Sequence, residues 1–110
     1  MFKRQYRLPS GTRISSQQTI SSPFFLLKKV ANNLPNSRFG FVVSKKIDKS
    51  AVVRNRTRRV LRAAIEDLLP DIKVGFDLLF VLKQPLPERT KELDTEVIRI
   101  LRRIDLILSI

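Results

Sequence analysis

Cysteine, histidine and tryptophan are all absent from the 110 residues. Without cysteine there are neither disulfides nor thiolate metal sites, and the compartment reads most simply as cytoplasmic. Without histidine the commonest general base, the usual catalytic triad and most zinc sites are gone. The three glycines are scattered, so no loop can cradle a phosphate. No apolar run approaches the roughly 18 residues of a membrane-spanning helix. Acid is nearly missing from the first part of the chain. Residues 1–65 carry 15 basic groups against Asp48 alone, for +14, whereas residues 66–110 carry 7 basic and 9 acidic groups, for −2.

What is present fits one domain. A hydrophobic content of 43% is too high for disorder. A chain of this length buries roughly 60–70% of its unfolded surface, enough for one modest core. The net charge of +12 and a pI near 11.2 would cost stability through self-repulsion unless a polyanion neutralised them. Nucleic acid is therefore the expected partner, with an anionic membrane surface as the competitor. The Arg- and Ser-rich opening also looks like an organellar transit peptide. Its basic character, however, runs on into the segments that should fold.

Residues 1–22 have no convincing period and read as a polar, mostly irregular arm. A helical turn and a short strand near residues 19–22 are allowed within it. "PFFLLKKV" (23–30) is rich in strand formers, "ANNLPNS" (31–37) is turn chemistry, and "RFGFVVSK" (38–45) alternates. Phe39, Phe41 and Val43 fall on one face of that last strand, and Arg38, Gly40, Val42 and Ser44 on the other. The pair predicts a hairpin. Core packing accounts for the strand aromatics Phe24, Phe25, Phe39 and Phe41, with base stacking reserved for one at most.

Over residues 51–69 the period becomes helical. Val53, Thr57, Val60, Leu61, Ala64 and Leu68 share a stripe with Ile65 at its margin, and Ser50 is placed to cap the start. Glu66 and Asp67 oppose the dipole at the other end, and Pro70 stops the helix. "FDLLFVLKQP" (76–85) reads as a buried strand. A second amphipathic helix follows, with Leu93, Val97, Ile100, Leu101, Ile104 and Leu108 inward. The expected architecture is α+β, a single RNA-binding domain over 1–110. It comprises the arm 1–22 and a core 23–110, with one mostly antiparallel sheet and helices packed on one face. The other face is left for Lys28, Arg38 or Ser44.

Residues 54–62 hold five arginines and no acid. A guanidinium fork matches phosphate oxygens in a way an ammonium cannot. Arg54, Arg58 and Arg62 form a row spanning about 12 Å, enough to follow two or three phosphates. Arg56, Arg59 and Asn55 continue the polar face, and Lys45, Lys46 and Lys49 widen the field leading into it. A solvated face is the bland alternative, but such faces usually mix signs. Neutralising about four to five phosphates would give a salt slope of roughly −3 to −4 in log K against log salt. No catalytic group emerges. Asp67, Asp71 and Asp77 are tied to no nucleophile, and Asp77 within an apolar strand reads as a satisfied structural carboxylate.

"RFGFVVSKKIDKSAVVRNRTRRVLRAAI" resembles the hallmark stretch of the bacterial ribonuclease P protein component. The family pattern is a strand ending in Ser-Lys-Lys and then an Ala-Val-x-Arg-Asn-Arg helix. It is matched by Ser44, Lys45, Lys46, Ala51, Val52, Arg54, Asn55, Arg56, Arg58, Arg59 and Arg62. "YRLP", "SSPFFLLK" and "FDLLFVLKQP" extend the likeness over roughly the whole chain. The resemblance implies an α/β sandwich like the second domain of ribosomal protein S5, with a left-handed βαβ crossover holding the arginine helix. It implies that the helix binds the catalytic RNA of RNase P, and that a cleft on the sheet holds the 5′ leader of precursor tRNA. Lys28, Arg38, Phe25 and Ser44 are the candidate leader contacts. Cleavage would belong to the RNA with Mg²⁺, so the protein itself should need no cofactor, no metal and no further protein partner. The family's first helix is longer and carries aromatics, whereas residues 7–22 here are shortened and polar. Asp48-Lys49-Ser50 stands where a Gly-Asn turn is usual. A ribosomal or other structural RNA-binding module is the alternative reading, and a membrane-surface cationic helix protein is a third.

Overall fold

The computed structural model describes residues 3–9 and 18–107. Four strands and two helices follow one another as β1 (Gln18–Ser21), β2 (Phe25–Ala31), β3 (Arg38–Val42), α1 (Ala51–Glu66), β4 (Phe76–Leu82) and α2 (Lys91–Arg103), with 3-10 turns at Arg4–Tyr6 and Leu69–Asp71. The sheet order is β1-β2-β4-β3. β1 and β4 both run antiparallel to β2, and β3 runs parallel to β4. This is the mostly antiparallel α+β sheet read from the sequence. The strand expected near residues 19–22 is β1, which takes up the end of the shortened polar segment 7–22, whereas residues 10–17 of that segment and Leu108 fall outside the described residues.

The hairpin expected between β2 and β3 does not form, because β4 lies between them. Its run of apolar residues suits a strand flanked on both sides, and the six-residue connection 32–37 is long enough to cross over its end. That connection is fastened to the approach to β4 rather than folded into a tight turn. Asn32 N donates to Gly75 O (2.9 Å). Ser37 Oγ donates to Lys73 O (2.7 Å) and accepts from Phe76 N (3.1 Å). Asn33 takes a left-handed φ of 58°, a conformation Asn tolerates better than most residues. The hairpin is instead β1–β2, turned at Ser22, whose Oγ accepts from Phe24 N and Phe25 N.

Pairing in register sorts the side chains. Phe25 lies opposite Leu82, Leu27 opposite Phe80, and Phe39 and Phe41 opposite Leu78 and Phe80. These face the helices and are buried or packed against the core. Thr57, Leu61, Ala64 and Ile65 of α1 and Leu93, Val97, Ile100 and Leu101 of α2 close it from above. Ile65 sits fully buried in the stripe, not at its margin, and α1 ends at Glu66, short of the expected residue 69. The acidic end of α1 gains compensation from Arg89, which pairs with Asp67 at 2.7 Å. Helix α2 closes with Asp105 at φ 60° and bonds Asp105 N to Arg102 O and Leu106 N to Leu101 O. Two bonds of that pattern satisfy the last carbonyls.

Thr57 is the one polar member of the buried stripe. Its hydroxyl donates to Val53 O (3.0 Å) and accepts from Leu86 N (3.0 Å). Thr57→Val keeps the shape but strands a buried N–H, so it should cost about 1–3 kcal/mol, measurable by urea denaturation.

The opposite face of the sheet carries Leu26, Val81 and Val42 in one row and Lys28, Leu79 and Gly40 in the next. Val30, Asp77 and Arg38 form a third. A side chain at Gly40 would meet Leu79 and Leu8 at 2.9–3.3 Å; glycine there lets Leu8 lie across the sheet.

Candidate nucleic-acid interface

Helix α1 begins as its sequence dictates. Ser50 Oγ accepts from Val53 N (3.3 Å), and Asp48 Oδ1 accepts from Ser50 N (2.8 Å). The Asp48-Lys49-Ser50 segment is thus an ordered turn into the helix. Arg54 folds back on it, donating Nη1 to Asp48 O (3.0 Å) and Lys49 O (2.9 Å). Its first task is to tie the lysine-bearing loop to the helix. Lys45, Lys46 and Lys49 are exposed there, beside a helix start with no acid in its first turn, where the dipole favours anions.

Asn55 resolves into a positioning residue: its Oδ1 accepts from Arg58 Nη1 at 2.9 Å. The bond steadies one guanidinium of the row without changing its charge. Arg62 lies over the Phe41 ring, 5.7 Å from its centroid, a cation–π distance. Burial, and then the nearby Arg7, hold Arg62 below the ordinary arginine value. Arg58 and Arg59 add to this, and Glu66 opposes it. Arg7 was not foreseen as part of the cluster. It arrives because the segment 7–8 lies along the outer edge of β3, with Arg7 bridged to Phe39 and Leu8 N bonded to Phe39 O (2.9 Å). Only the near absence of acid from the first 65 residues hinted at it. Arg59 is exposed next to this group. Arg56 is exposed too, but lies roughly 160° around the axis from Arg58 and belongs to the outer side.

The contrast with the rest of the molecule is electrostatic. Asp67 and Asp94 pair with Arg89, Glu96 with Arg99, Asp105 with Lys73, and Asp77 with Arg38. Among the described residues, none of the five α1 arginines has an ion-pair partner. They form a cationic surface whose repulsion Glu66 offsets at Arg62 and an external anion would relieve further.

Of the residues expected on the open face, Lys28 and Arg38 are there and half-buried. Phe25 is not: it is fully buried on the helix side, stacked edge-on against Phe80 at 5.1 Å. Both parities of "PFFLLKKV" offer apolar residues, and the Ser22 turn selects the phase. Ser44 is exposed beyond the end of β3, in the loop toward α1. Arg38 holds Asp77 through two bonds, Nε to Oδ1 (2.9 Å) and Nη2 to Oδ2 (2.7 Å), and Asn32 Nδ2 adds a third at 2.8 Å. Burial would raise the Asp77 carboxyl, but those bonds outweigh it and hold the group below its ordinary value. Among the described residues, no cluster of three or more acidic side chains could hold a metal ion, and no helix is long and apolar enough to cross a membrane.

Residues 2–105 match the family model described as Ribonuclease P. The chain is 46% identical over 74 residues to the ribonuclease P protein component of a Synechococcus species, covering 66% of this chain and 56% of that relative. It is 35% identical over 88 residues to the corresponding protein of Chloroflexus aggregans, covering 78% and 64%. The matched region therefore spans less than two thirds of these curated relatives. The fold is similar to that of the Staphylococcus aureus RNase P protein, with a TM-score of 0.68 at 22% identity over 83% of this chain and 84% of that one. The RNase P protein of Thermotoga maritima aligns with a TM-score of 0.56 at 26% identity, over 74% and 67%.

Proposed function

Since the chain belongs to the family of ribonuclease P protein components, we propose that it is the protein subunit of a ribonucleoprotein endoribonuclease that matures the 5′ end of tRNA. The observation that carries this is the row of α1 arginines without ion-pair partners among the described residues, widened by Lys45, Lys46 and Lys49. Arg58 and Arg62 grip the phosphates of the catalytic RNA, Asn55 steadies Arg58, and Arg54 keeps the lysine loop in place. The open sheet face receives the 5′ leader of precursor tRNA. Lys28 supplies its charge, Leu26, Val42 and Val81 a half-exposed apolar floor, and Arg38 and Ser44 its polar ends.

The bond-breaking chemistry falls to the RNA with Mg²⁺, in the cytoplasm. This chain's residues bind and orient. What supports that division is the donor set: no histidine, no cysteine, and five of the ten carboxylates already paired with Arg38, Lys73, Arg89 and Arg99. No structural observation favours a ribosomal module over this reading.

Reconstitution tests it. With its cognate catalytic RNA, the protein should raise precursor-tRNA cleavage at low Mg²⁺. A rate unchanged from RNA alone, with the complex shown to form, would refute the subunit role.

A further inference from the structure

A second concavity lies away from both the lysine loop and the open sheet face, at the end where β3 and β4 begin. It has a volume of about 520 Å³ and is lined by Tyr6, Phe39, Leu69, Ile72 and Val74, with Gln5, Asn36 and Ser37 on its polar side. Pockets of 300–1,000 Å³ with apolar walls and a few polar groups are typical small-ligand sites. Its walls are fastened together. Asn36 Nδ2 donates to Gln5 O (2.6 Å), Ser37 Oγ to Lys73 O (2.7 Å), and Leu8 N to Phe39 O (2.9 Å). Asn36 Oδ1 and the Gln5 amide carry no hydrogen bond among the described residues, so both can read a polar edge.

The surroundings favour an anionic chain. Arg4, Arg7, Arg38 and Lys73 adjoin lining residues in sequence, against Asp71 as the one adjoining acid. Arg38 and Lys73 are already paired with Asp77 and Asp105, which leaves the charge to Arg4 and Arg7. Arg7 is also the near neighbour of Arg62 at the end of the arginine row. A polyanion following Arg58 and Arg62 thus meets Arg7 next, and the residue before Arg7 is the tyrosine of the pocket.

We propose that this pocket takes one unpaired nucleobase of the RNA bound along the α1 arginines, stacked on Tyr6 between the apolar walls. The proposal rests on the RNA-binding reading above and extends it from phosphates to a base. Aromatic stacking is sequence-tolerant, and any discrimination would come from Asn36 and Gln5.

Tyr6 is the chain's single tyrosine, so full-length protein grown with 3-fluorotyrosine gives one ¹⁹F resonance at the site. Titration with an oligouridylate of about ten nucleotides, long enough to cover a binding groove, should shift that line. Inorganic polyphosphate of matched charge should leave it nearly in place. Tyr6→Leu should weaken oligouridylate binding about tenfold, the scale of one lost stacking contact, with the salt slope unchanged, and Tyr6→Phe should restore it. Val74→Asp, at a rim position 63% exposed, should weaken binding without disturbing the core. Salt-dependent binding with an unmoved line, or with both variants binding like the parent, would overturn the base pocket and leave the RNA reading intact. Absence of salt-dependent binding would overturn both. A line that moves with protein concentration alone would show a second copy in the pocket, and that too would overturn the proposal.

Discussion

Replacing Arg58 and Arg62 together by alanine is expected to weaken binding to the catalytic RNA by about 2–3 kcal/mol, roughly 30- to 150-fold, the cost of two charge-assisted phosphate contacts. The salt dependence should change with it. Each lost contact lowers the slope of log K against log salt by roughly 0.7–0.9, so the double variant should be flatter by about 1.5. Stability should hold or rise slightly, because like charges one turn apart repel by about 0.2–0.5 kcal/mol and alanine is a better helix former. Unchanged affinity and slope in a filter-binding series across salt would mean that the row faces solvent. Arg54→Ala should behave differently. Its guanidinium bonds to Asp48 O and Lys49 O, so the variant should loosen the lysine loop and lower both affinity and helix order. Asn55→Ala should weaken RNA less than Arg58→Ala, since it removes only the bond that steadies the fork.

Asp77→Ala should destabilise the fold by about 2–4 kcal/mol, toward the lower part of the range for broken buried pairs, because the Arg38 side chain keeps 29% of its exposure. The carboxylate accepts from Arg38 twice and from Asn32 once. Its loss therefore frees both the start of β3 and the connection that crosses β4. The same bonds outweigh burial and hold its carboxyl below the ordinary value. The stability they supply is complete above the unfolded-state value near 3.9 and is lost as pH falls through the lower folded-state value. Urea midpoints measured from pH 6 to pH 2.5 should show this acid loss in the parent and a shallower one in Asp77→Asn. An equal slope in both would assign the acid sensitivity to other carboxylates. Arg38→Met with Asp77→Leu should recover part of the stability that Asp77→Ala loses, since an uncompensated buried charge is the main cost.

Local chemistry was legible in the sequence, and non-local geometry was not. Ser50 caps α1 as its position implies, the stripe from Thr57 to Ile65 faces the core, and Asp77 is a satisfied carboxylate. Each of these depends on residues within a turn or two, or on burial alone. The hairpin of β2 with β3 failed because the competitor, β4, lies more than 40 residues away from β2 in the chain, and no periodicity reports a strand inserted from that distance. Phe25 was placed on the wrong face because apolar residues at 24, 25, 26 and 27 leave the two-residue phase undefined. The arginine row was visible as spacing. The tasks of its members were not, since Arg54, Asn55 and Arg58 are distinguished only by where their side-chain atoms end. Arg7 joins the row through the edge of β3, a neighbourhood that forms only after folding.

The central place of the last strand sets a schedule for synthesis. Every residue of β2 from Phe25 to Ala31 waits for a partner between Phe76 and Leu82, and β3 waits for the same strand. Until those residues leave the ribosome, the hairpin of β1 and β2 is the one sheet element that can assemble, and α1 has no floor to rest on. Contacts of such separation close late in folding. A nascent chain thus displays all five α1 arginines before it has a core to hold them, and RNA that reaches the chain early meets a loose basic tether instead of a shaped surface. Completion of β4 turns that tether into a shaped cationic surface.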